Sequence, residues 1–233
     1  MKDSYSVNTT KFSLDRLRDA LKTKDILPSR NVLKEQVDER FNLLKSEGIE
    51  SLFDLLDILK SKAKIEQFAT KTGLNTDYLT ILRREANSYV SVPVRLIDLP
   101  TGETDTIKKL DSIGIRDSKQ LFIKAAQLSD REQLAVCNNI EIEALTELVQ
   151  LADLLRITGV GPIFVQIILD SGIGSVEEFL SLDSKELFDR LIKTNSDRGL
   201  TKARFTIKDI EYCIELGKEL PIVFERNKTQ IIG

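Results

Sequence analysis

The chain has 233 residues, of which 41% are hydrophobic and 30% are charged, with a formal net charge of −3. This composition is sufficient for one large or two ordinary globular domains with a packed core. The sequence has no histidine, which excludes Ser-His-Asp triads, Cys-His pairs and histidine-ligated metal sites. Its acidic residues alternate with lysine and arginine, as on a solvated helix surface. We therefore expect a protein that is not an enzyme and binds no metal or cofactor.

The sequence carries no signal for secretion or membrane insertion. Residues 1–11 are polar, and no apolar stretch is long enough to span a bilayer. The two cysteines, Cys137 and Cys213, are isolated among apolar helical neighbours, which predicts buried, reduced thiols. We expect a cytoplasmic protein with no membrane partner.

Residues 1–12 are expected to form a flexible N-terminal tail, and residues 13–90 a first helical unit. In this unit, serine and threonine residues precede apolar runs with helical spacing, as N-cap residues do. The predicted N-caps are Ser13, Ser29, Ser51 and Thr76, with the helix from Ser29 running to Leu44 and a further helix carrying Ile65 and Phe68.

Two prolines, Pro93 and Pro100, bracket the next segment, so residues 91–104 are predicted to be an extended connector. Residues 105–220 should contain a second and a third helical unit. The expected helices lie near 104–113, 118–127, 130–137, 142–156, 162–171, 175–180, 183–193 and 205–219. Pro221 ends the last helix and leaves residues 221–233 as a C-terminal tail. No run of useful length shows the alternation of apolar and polar residues that is typical of a β-strand, so the predicted fold class is all-α.

One sequence pattern occurs three times: a leucine, three further residues, Gly-Ile, and then polar residues before an apolar run. It is centred on Gly48, on Gly114 and, in slightly altered form, on Gly172. A shift of 66 residues (114 minus 48) also places Leu82 on Leu148. Such self-similarity indicates an array of one supersecondary unit. The glycines are predicted to end helices in the left-handed conformation.

Residues 154–165 contain a candidate ligand site, because two glycines and a proline follow an apolar helix end. Gly159 and Gly161 permit backbone angles that a Cβ disfavours, and Pro162 suits the first turn of a new helix. Val160 is predicted to be buried in the junction of the two helices. The N–H groups of such a hairpin suit a phosphate oxygen. The alternative is that the hairpin only turns the chain.

The residues Ile157-x-Gly159-Val160-Gly161 resemble the helix-hairpin-helix motif of non-sequence-specific DNA-binding proteins. Together with residues 152–156 and with Gly172-Ile173-x-Ser175-Val176-x-x-Phe179, they resemble the uncharacterised helix-hairpin-helix family known as domain of unknown function 4332. The likeness covers roughly residues 105–220. It implies a helix-hairpin-helix fold and a role in nucleic-acid binding, without an established activity or catalytic residue. With the three Gly-Ile segments, the expected architecture is about three tandem helix-hairpin-helix-like units.

The leading hypothesis is a non-enzymatic module that contacts the backbone of DNA or RNA weakly and without sequence preference. A loop from Arg198 to Arg204 carries three positive charges and no acidic residue, which favours either phosphate contact or simple solubility. The candidate nucleic-acid-binding residues are Arg156, Thr158, Gly159, Val160, Gly161, Lys202 and Arg204. The alternative is a protein–protein adaptor or scaffold that uses the concave surface of stacked helices.

Overall fold

The computed structural model describes residues 4–23 and 28–226, and the regular elements in these ranges are helices. Extended pairing in these ranges is limited to two isolated bridges, Ser13–Ser51 and Arg95–Asp117. The all-α class predicted from the sequence is therefore confirmed. No helix in this part of the chain is long and apolar enough to cross a membrane.

The described residues form two compact units. The N-terminal unit comprises residues 7–90, and the C-terminal unit comprises residues 91–226 together with residues 4–6. The helices of the N-terminal unit are α1 (Leu14–Thr23), a 3₁₀ helix (Pro28–Lys34), α2 (Val37–Ser46), α3 (Leu52–Ile58), α4 (Lys62–Thr72) and α5 (Thr76–Asn87). Those of the C-terminal unit are a 3₁₀ helix (Leu96–Asp98), α6 (Thr104–Ser112), α7 (Ser118–Ala125), α8 (Leu128–Asn138), α9 (Ile142–Leu154), α10 (Pro162–Asp170), α11 (Val176–Ser181), α12 (Ser184–Arg198) and α13 (Ile207–Gly217).

The core of the N-terminal unit is built from leucines that recur with helical spacing. Leu14, Leu17 and Leu21 of α1 are fully buried, as are Leu79 and Leu82 of α5. A spacing of three or four residues returns to the same side of a helix, so these side chains form one apolar face on each helix. Burial of each leucine contributes roughly 1.5–3 kcal/mol to folding.

The helix expected between Ser29 and Leu44 is divided in the structure. A 3₁₀ helix ends at Lys34, and α2 starts after Gln36, whose φ of 47° is left-handed. The Nη1 group of Arg40 donates to the carbonyl of Val32 at 2.8 Å and holds the two parts together. The prediction of one continuous helix is therefore wrong, because the chain leaves the helical conformation at Gln36.

Residues 4–6 are packed within the C-terminal unit. Tyr5 is fully buried, its hydroxyl lies 2.6 Å from Oγ of Ser118, and its ring makes an edge contact with Phe122. Residues 7–12 belong to the N-terminal unit, in which Phe12 is buried. Residues 4–12 are therefore packed, in contrast to the flexible tail expected of residues 1–12. Residues 1–3 lie outside the described part of the chain.

The segment between the two prolines packs on the C-terminal unit. Residues 92–95 are extended up to a short 3₁₀ helix, and Leu96 and Leu99 are buried. The N–H of Leu96 donates to the carbonyl of Arg116 at 2.9 Å, and the N–H of Ser118 donates to that of Val94 at 2.8 Å. These bonds form the isolated bridge and hold the connector against the start of α7.

The chain after Pro221 lies along the turn between α7 and α8. The N–H of Glu225 donates to the carbonyl of Ala126 at 2.9 Å, and Nε2 of Gln127 donates to the carbonyl of Val223 at 2.8 Å. Residues 221–226 of the expected tail are thus held by hydrogen bonds to their backbone. Residues 227–233 lie outside the described part of the chain.

Gly48, Gly114 and Gly172 each follow the end of a helix, with φ of +81°, +83° and +85°. In all three cases the N–H groups of the glycine and the next isoleucine donate to carbonyls of the last helical turn, at 2.9–3.3 Å. This pair of bonds is the Schellman motif, which favours glycine because a Cβ is strained at positive φ. The predicted role of these glycines as helix ends is confirmed.

The residue three positions after each of these glycines caps the next helix. Its side chain accepts a hydrogen bond from a backbone N–H of the first turn, as an N-cap does. The capping residues are Ser51, Asp117 and Ser175. In return, a side chain of that turn accepts a hydrogen bond from the backbone N–H of the residue just before the N-cap. These accepting side chains are Asp54, Gln120 and Glu178. The three segments therefore have the same local hydrogen bonds.

The two cysteines lie in different environments. Cys213 in α13 is buried, and this burial raises the pKa of its thiol to about 12. Cys137 in the last turn of α8 is exposed, as is its neighbour Val136, while Ala135 packs inward. The prediction of a buried thiol is therefore correct for Cys213 and wrong for Cys137.

Candidate functional site

The hairpin (residues 157–162) connects α9, which ends at Leu154, to α10, which begins at Pro162. Gly159 has a left-handed φ of +95°, and Gly161 is the extended N-cap of α10. The N–H of Val160 donates to the carbonyl of Ile157 at 3.1 Å and closes the turn. Pro162 occupies the first position of α10, where a missing N–H has no consequence.

The hairpin is anchored by its apolar side chains. Val160 and Ile157 are buried, as predicted for Val160 from its place between two glycines. A Cβ added to Gly159 would lie 3.2 Å from Sγ of Cys213, so the turn packs closely on α13. The hairpin therefore has a fixed position on the C-terminal unit.

The outer side of the hairpin presents backbone to solvent. Gly159 is exposed, and Thr158 and Gly161 are half-buried. The first N–H groups of an α-helix lack intrahelical acceptors, so the start of α10 carries donors beside this exposed backbone. Ile163, in the first turn of α10, is 48% exposed and supplies no charge.

Arg156 is buried and does not belong to this exposed surface. Its guanidinium forms an ion pair through Nη1 with Asp153 and donates from Nε to the carbonyl of Tyr5 at 3.0 Å. Nη2 donates to the carbonyl of Pro221 at 2.6 Å, and the group lies 4.4 Å from the ring centroid of Phe122. The prediction that Arg156 binds nucleic acid is therefore wrong, because its donors are used within the C-terminal unit.

Asp153 links this buried arginine to the start of α11. Its Oδ2 accepts the N–H of Val176 at 2.7 Å. At the two earlier Gly-Ile segments the equivalent N–H donates to a backbone carbonyl, that of Phe12 or Val94. Burial raises the pKa of Asp153, and the Arg156 guanidinium and the Val176 amide oppose that rise. Two opposite charges three residues apart in an apolar run are the sequence signal for this pair.

The basic loop (residues 198–206) carries the other candidate residues. Lys202 and Arg204 are exposed, whereas Arg198 forms an ion pair with Asp170 at 2.9 Å. The side chain of Asn195 accepts the N–H of Thr201 and donates to its carbonyl, both at 3.0 Å. This reciprocal pair fixes the loop to the last turns of α12.

The structure brings the basic loop against the first turn of α10. The ring centroid of Phe205 lies 5.0 Å from that of Phe164 and 6.0 Å from that of Phe188. Arg204 precedes Phe205, and Phe164 lies three residues after Gly161. Of the predicted set, the hairpin backbone and the loop cations are thus held on neighbouring elements, while Arg156 and the Val160 side chain lie inside. This aromatic contact was not predicted from the sequence.

The described residues contain no group of three or more cysteine, aspartate or glutamate side chains arranged to hold a metal ion. The hairpin and the basic loop present backbone donors and the exposed positive charges of Lys202 and Arg204, together with the exposed Arg198, which is paired with Asp170. Such a combination suits an anion whose contacts are spread over several oxygens.

Comparison with known proteins places this region in a family. Residues 100–220, more than half of the chain, match the family model described as Domain of unknown function (DUF4332). No curated protein and no solved structure matches the chain. The matched residues include the hairpin, the basic loop and the last two Gly-Ile segments. The chain therefore belongs to the DUF4332 family.

Proposed function

We propose that the protein is a non-enzymatic array of helix-hairpin-helix-like units that contacts the backbone of a nucleic acid. The contact surface consists of the hairpin and the basic loop. The observation that carries the proposal is the packing of Phe205 on Phe164, which holds the loop that carries Lys202 and Arg204 against the first turn of α10. The shared capping bonds at Gly48, Gly114 and Gly172 support the array of related units.

The chemistry of this surface favours phosphate over base contacts. Backbone N–H groups at a helix start donate hydrogen bonds to a phosphate oxygen, and Lys202 and Arg204 supply full positive charges. Base recognition needs side chains in a groove or aromatic rings that stack on bases. Phe205 and Phe164 are packed on each other, so sequence preference is expected to be small.

The small number of charges also sets the strength of the interaction. Neutralising about two phosphates gives a slope of about −2 for the logarithm of the binding constant against that of the salt concentration. The net charge of −3 opposes association with a polyanion. We therefore expect weak binding that is measurable at low salt and lost at high salt.

Fluorescence anisotropy with labelled duplex DNA, single-stranded DNA and RNA, titrated at several salt concentrations, tests this proposal. The double substitution Lys202→Glu with Arg204→Glu should reduce affinity at least tenfold and leave the unfolding midpoint unchanged, because both side chains are exposed. The matched control is Lys124→Glu with Lys193→Glu, which makes the same charge change on α7 and α12. Equal losses in both double variants, or no binding by the unmodified protein at low salt, would overturn the proposal.

A protein partner is the second candidate function. It is supported by apolar side chains that the C-terminal unit leaves exposed, including Val92 and Ile97, each 74% exposed, in the segment before α6. Exposed apolar residues of this kind are typical of protein contact surfaces when they lie together. The salt titration separates the two candidates, since an adaptor would show no salt-dependent binding of nucleic acid.

A further inference from the structure

A polar cleft of about 840 Å³ lies between α9 and α10 in the C-terminal unit. Glu143, Thr146, Glu147 and Gln150 of α9 form one wall, because their spacing of three or four residues places them on one face. The opposite wall comes from α10 and from the chain near Arg198. Most of these lining side chains are polar or charged, in contrast to an ordinary packed helix junction.

Two buried polar atoms at this cleft lack a hydrogen-bond partner among the described residues. They are Oγ1 of Thr146, a residue that is 5% exposed, and Oε1 of Gln166, a residue that is 9% exposed. The Nε2 group of Gln166 donates to Oδ1 of Asp170 at 2.8 Å, so its amide is oriented and Oε1 remains an acceptor. Buried polar groups are nearly always hydrogen-bonded, so each of these two atoms is available to accept a hydrogen bond from a ligand of the cleft.

The charges that line the cleft indicate which kind of ligand it can bind. Three carboxylates line it, those of Glu143, Glu147 and Asp170, and the lining contains one cation, Arg198. Arg198 is already paired with Asp170, and Glu147 accepts the neutral hydroxyl of Thr101 at 3.1 Å. One positive and three negative charges leave a net −2 at the cleft, so its field attracts a cation.

We propose that this cleft binds a protonated aliphatic amine. An ammonium group donates three hydrogen bonds and accepts none, which matches the acceptor on Gln166, the hydroxyl of Thr146 and the carboxylate of Glu147. The aliphatic stem of such a ligand packs on Leu169 and Leu200, two apolar residues of the lining. An anionic ligand would be repelled by the same carboxylates.

This chemistry has two sources, a free polyamine and the lysine side chain of a protein partner. Both present a primary ammonium on a flexible methylene chain, and they differ in what surrounds that group. The inference is independent of the proposed nucleic-acid contact, which uses Lys202, Arg204 and the hairpin. The variant carrying Lys202→Glu and Arg204→Glu should therefore bind the amine as the unmodified protein does.

Isothermal titration of the full chain with spermidine and with a short lysine-containing peptide tests the proposal. The same peptide with an acetylated lysine serves as the uncharged control and should not bind. Saturable 1:1 binding of spermidine, with no binding of the lysine peptide, assigns the site to a free polyamine. Tighter binding of the lysine peptide assigns it to a protein partner. Absence of saturable binding by both probes would overturn the inference.

Three substitutions locate the binding to the cleft. Thr146→Val keeps the shape and removes the hydroxyl, Gln166→Met removes the acceptor, and Glu147→Gln removes one charge. Each should weaken binding at least fivefold. Thr146→Val should do so without lowering the unfolding midpoint, because removal of an unsatisfied buried hydroxyl is neutral or stabilising. If Gln166→Met fails to fold, Thr146→Val still tests whether the amine binds in this cleft.

The charge control is Glu177→Gln on the exposed side of α11, outside the cleft. It should leave binding unchanged. An equal loss for Glu177→Gln and Glu147→Gln would show only general attraction of a cation to an acidic protein and would overturn the inference. Unchanged binding by Thr146→Val and Gln166→Met would overturn it as well.

Discussion

Arg131 and Arg156 are buried arginines whose guanidinium groups join separate parts of the C-terminal unit. Arg131 donates to the carbonyl of Ala125 at 3.1 Å and to that of Glu225 at 2.7 Å, and lies 5.0 Å from the ring centroid of Phe224. Arginine suits this role because its planar group presents five donors and keeps its charge. Each arginine thus fixes a chain segment that has no regular structure of its own.

Replacing Arg156 with alanine should lower the free energy of unfolding by about 3–5 kcal/mol, since Asp153 would stay buried without its countercharge. Equilibrium unfolding in urea, followed by circular dichroism, measures this loss. The control is Arg190→Ala, whose pair with Glu186 is on the surface of α12 and should contribute less than about 1 kcal/mol. A loss for Arg156→Ala as small as that of the control would contradict the buried pair.

Arg156 also shows why part of the candidate site was not predictable. Its place beside the hairpin favours phosphate contact, yet one of its partners is Tyr5, which is 151 residues away in the sequence. Local sequence contains no information about such a contact. The left-handed conformation of Gly159 and the burial of Val160 were predicted correctly, and the turn itself is formed by adjacent residues. Their contact with nucleic acid stays a prediction.

At the scale of helices, the sequence was most informative where a helix end is determined by its own residues. The Schellman bonds at Gly48, Gly114 and Gly172 each involve residues within two turns, so their sequence pattern predicts them. The break before α2 has no such signal, because Gln36 adopts a positive φ without a glycine or proline beside it. Tertiary contacts such as that of Arg40 with Val32 stabilise it instead.

Substituting Gly114 by alanine should lower the free energy of unfolding by about 1–2 kcal/mol, because an L-residue is strained at its φ of +83°. Beyond Gly114 and its chain neighbours, no atom of the described residues lies within 4 Å of the added Cβ, so the loss is conformational and not steric. Gly102→Ala is the matched control, since its Cβ also meets open space and its φ is not left-handed. Urea unfolding of both variants should separate them. Equal stabilities would mean that the turn at Gly114 relaxes without strain.

At the scale of the whole molecule, both units bury groups that hold a proton more tightly in the folded state. Burial raises the pKa of Tyr78 in the N-terminal unit to about 12, and those of Tyr5 and Cys213 in the C-terminal unit to about 12 as well. The unfolded chain releases these protons from about pH 9 to 10. Their contribution to stability is therefore complete below that range and is lost as the pH rises towards 12.

Urea unfolding midpoints measured from pH 8 to pH 11 should fall with increasing steepness above about pH 9. Tyr78→Phe should reduce this alkaline loss. It should leave stability at neutral pH intact, because the buried Tyr78 hydroxyl has no hydrogen-bond partner in the part of the chain that the structure describes. An alkaline loss as steep in Tyr78→Phe as in the unmodified protein would exclude this tyrosine as a source of the effect.

The hydrogen bonds of Arg156 extend the folded C-terminal unit beyond the stretch that the family model matches. Tyr5, Ser91 and Pro221 all bond to Arg156, and all three lie outside the family match at residues 100–220. The stretch that the family model matches is thus shorter than the unit that folds. Excision at residues 100 and 220 would leave the charged guanidinium without its bonds to Tyr5 and Pro221, and the Arg156 carbonyl without its bond from Ser91.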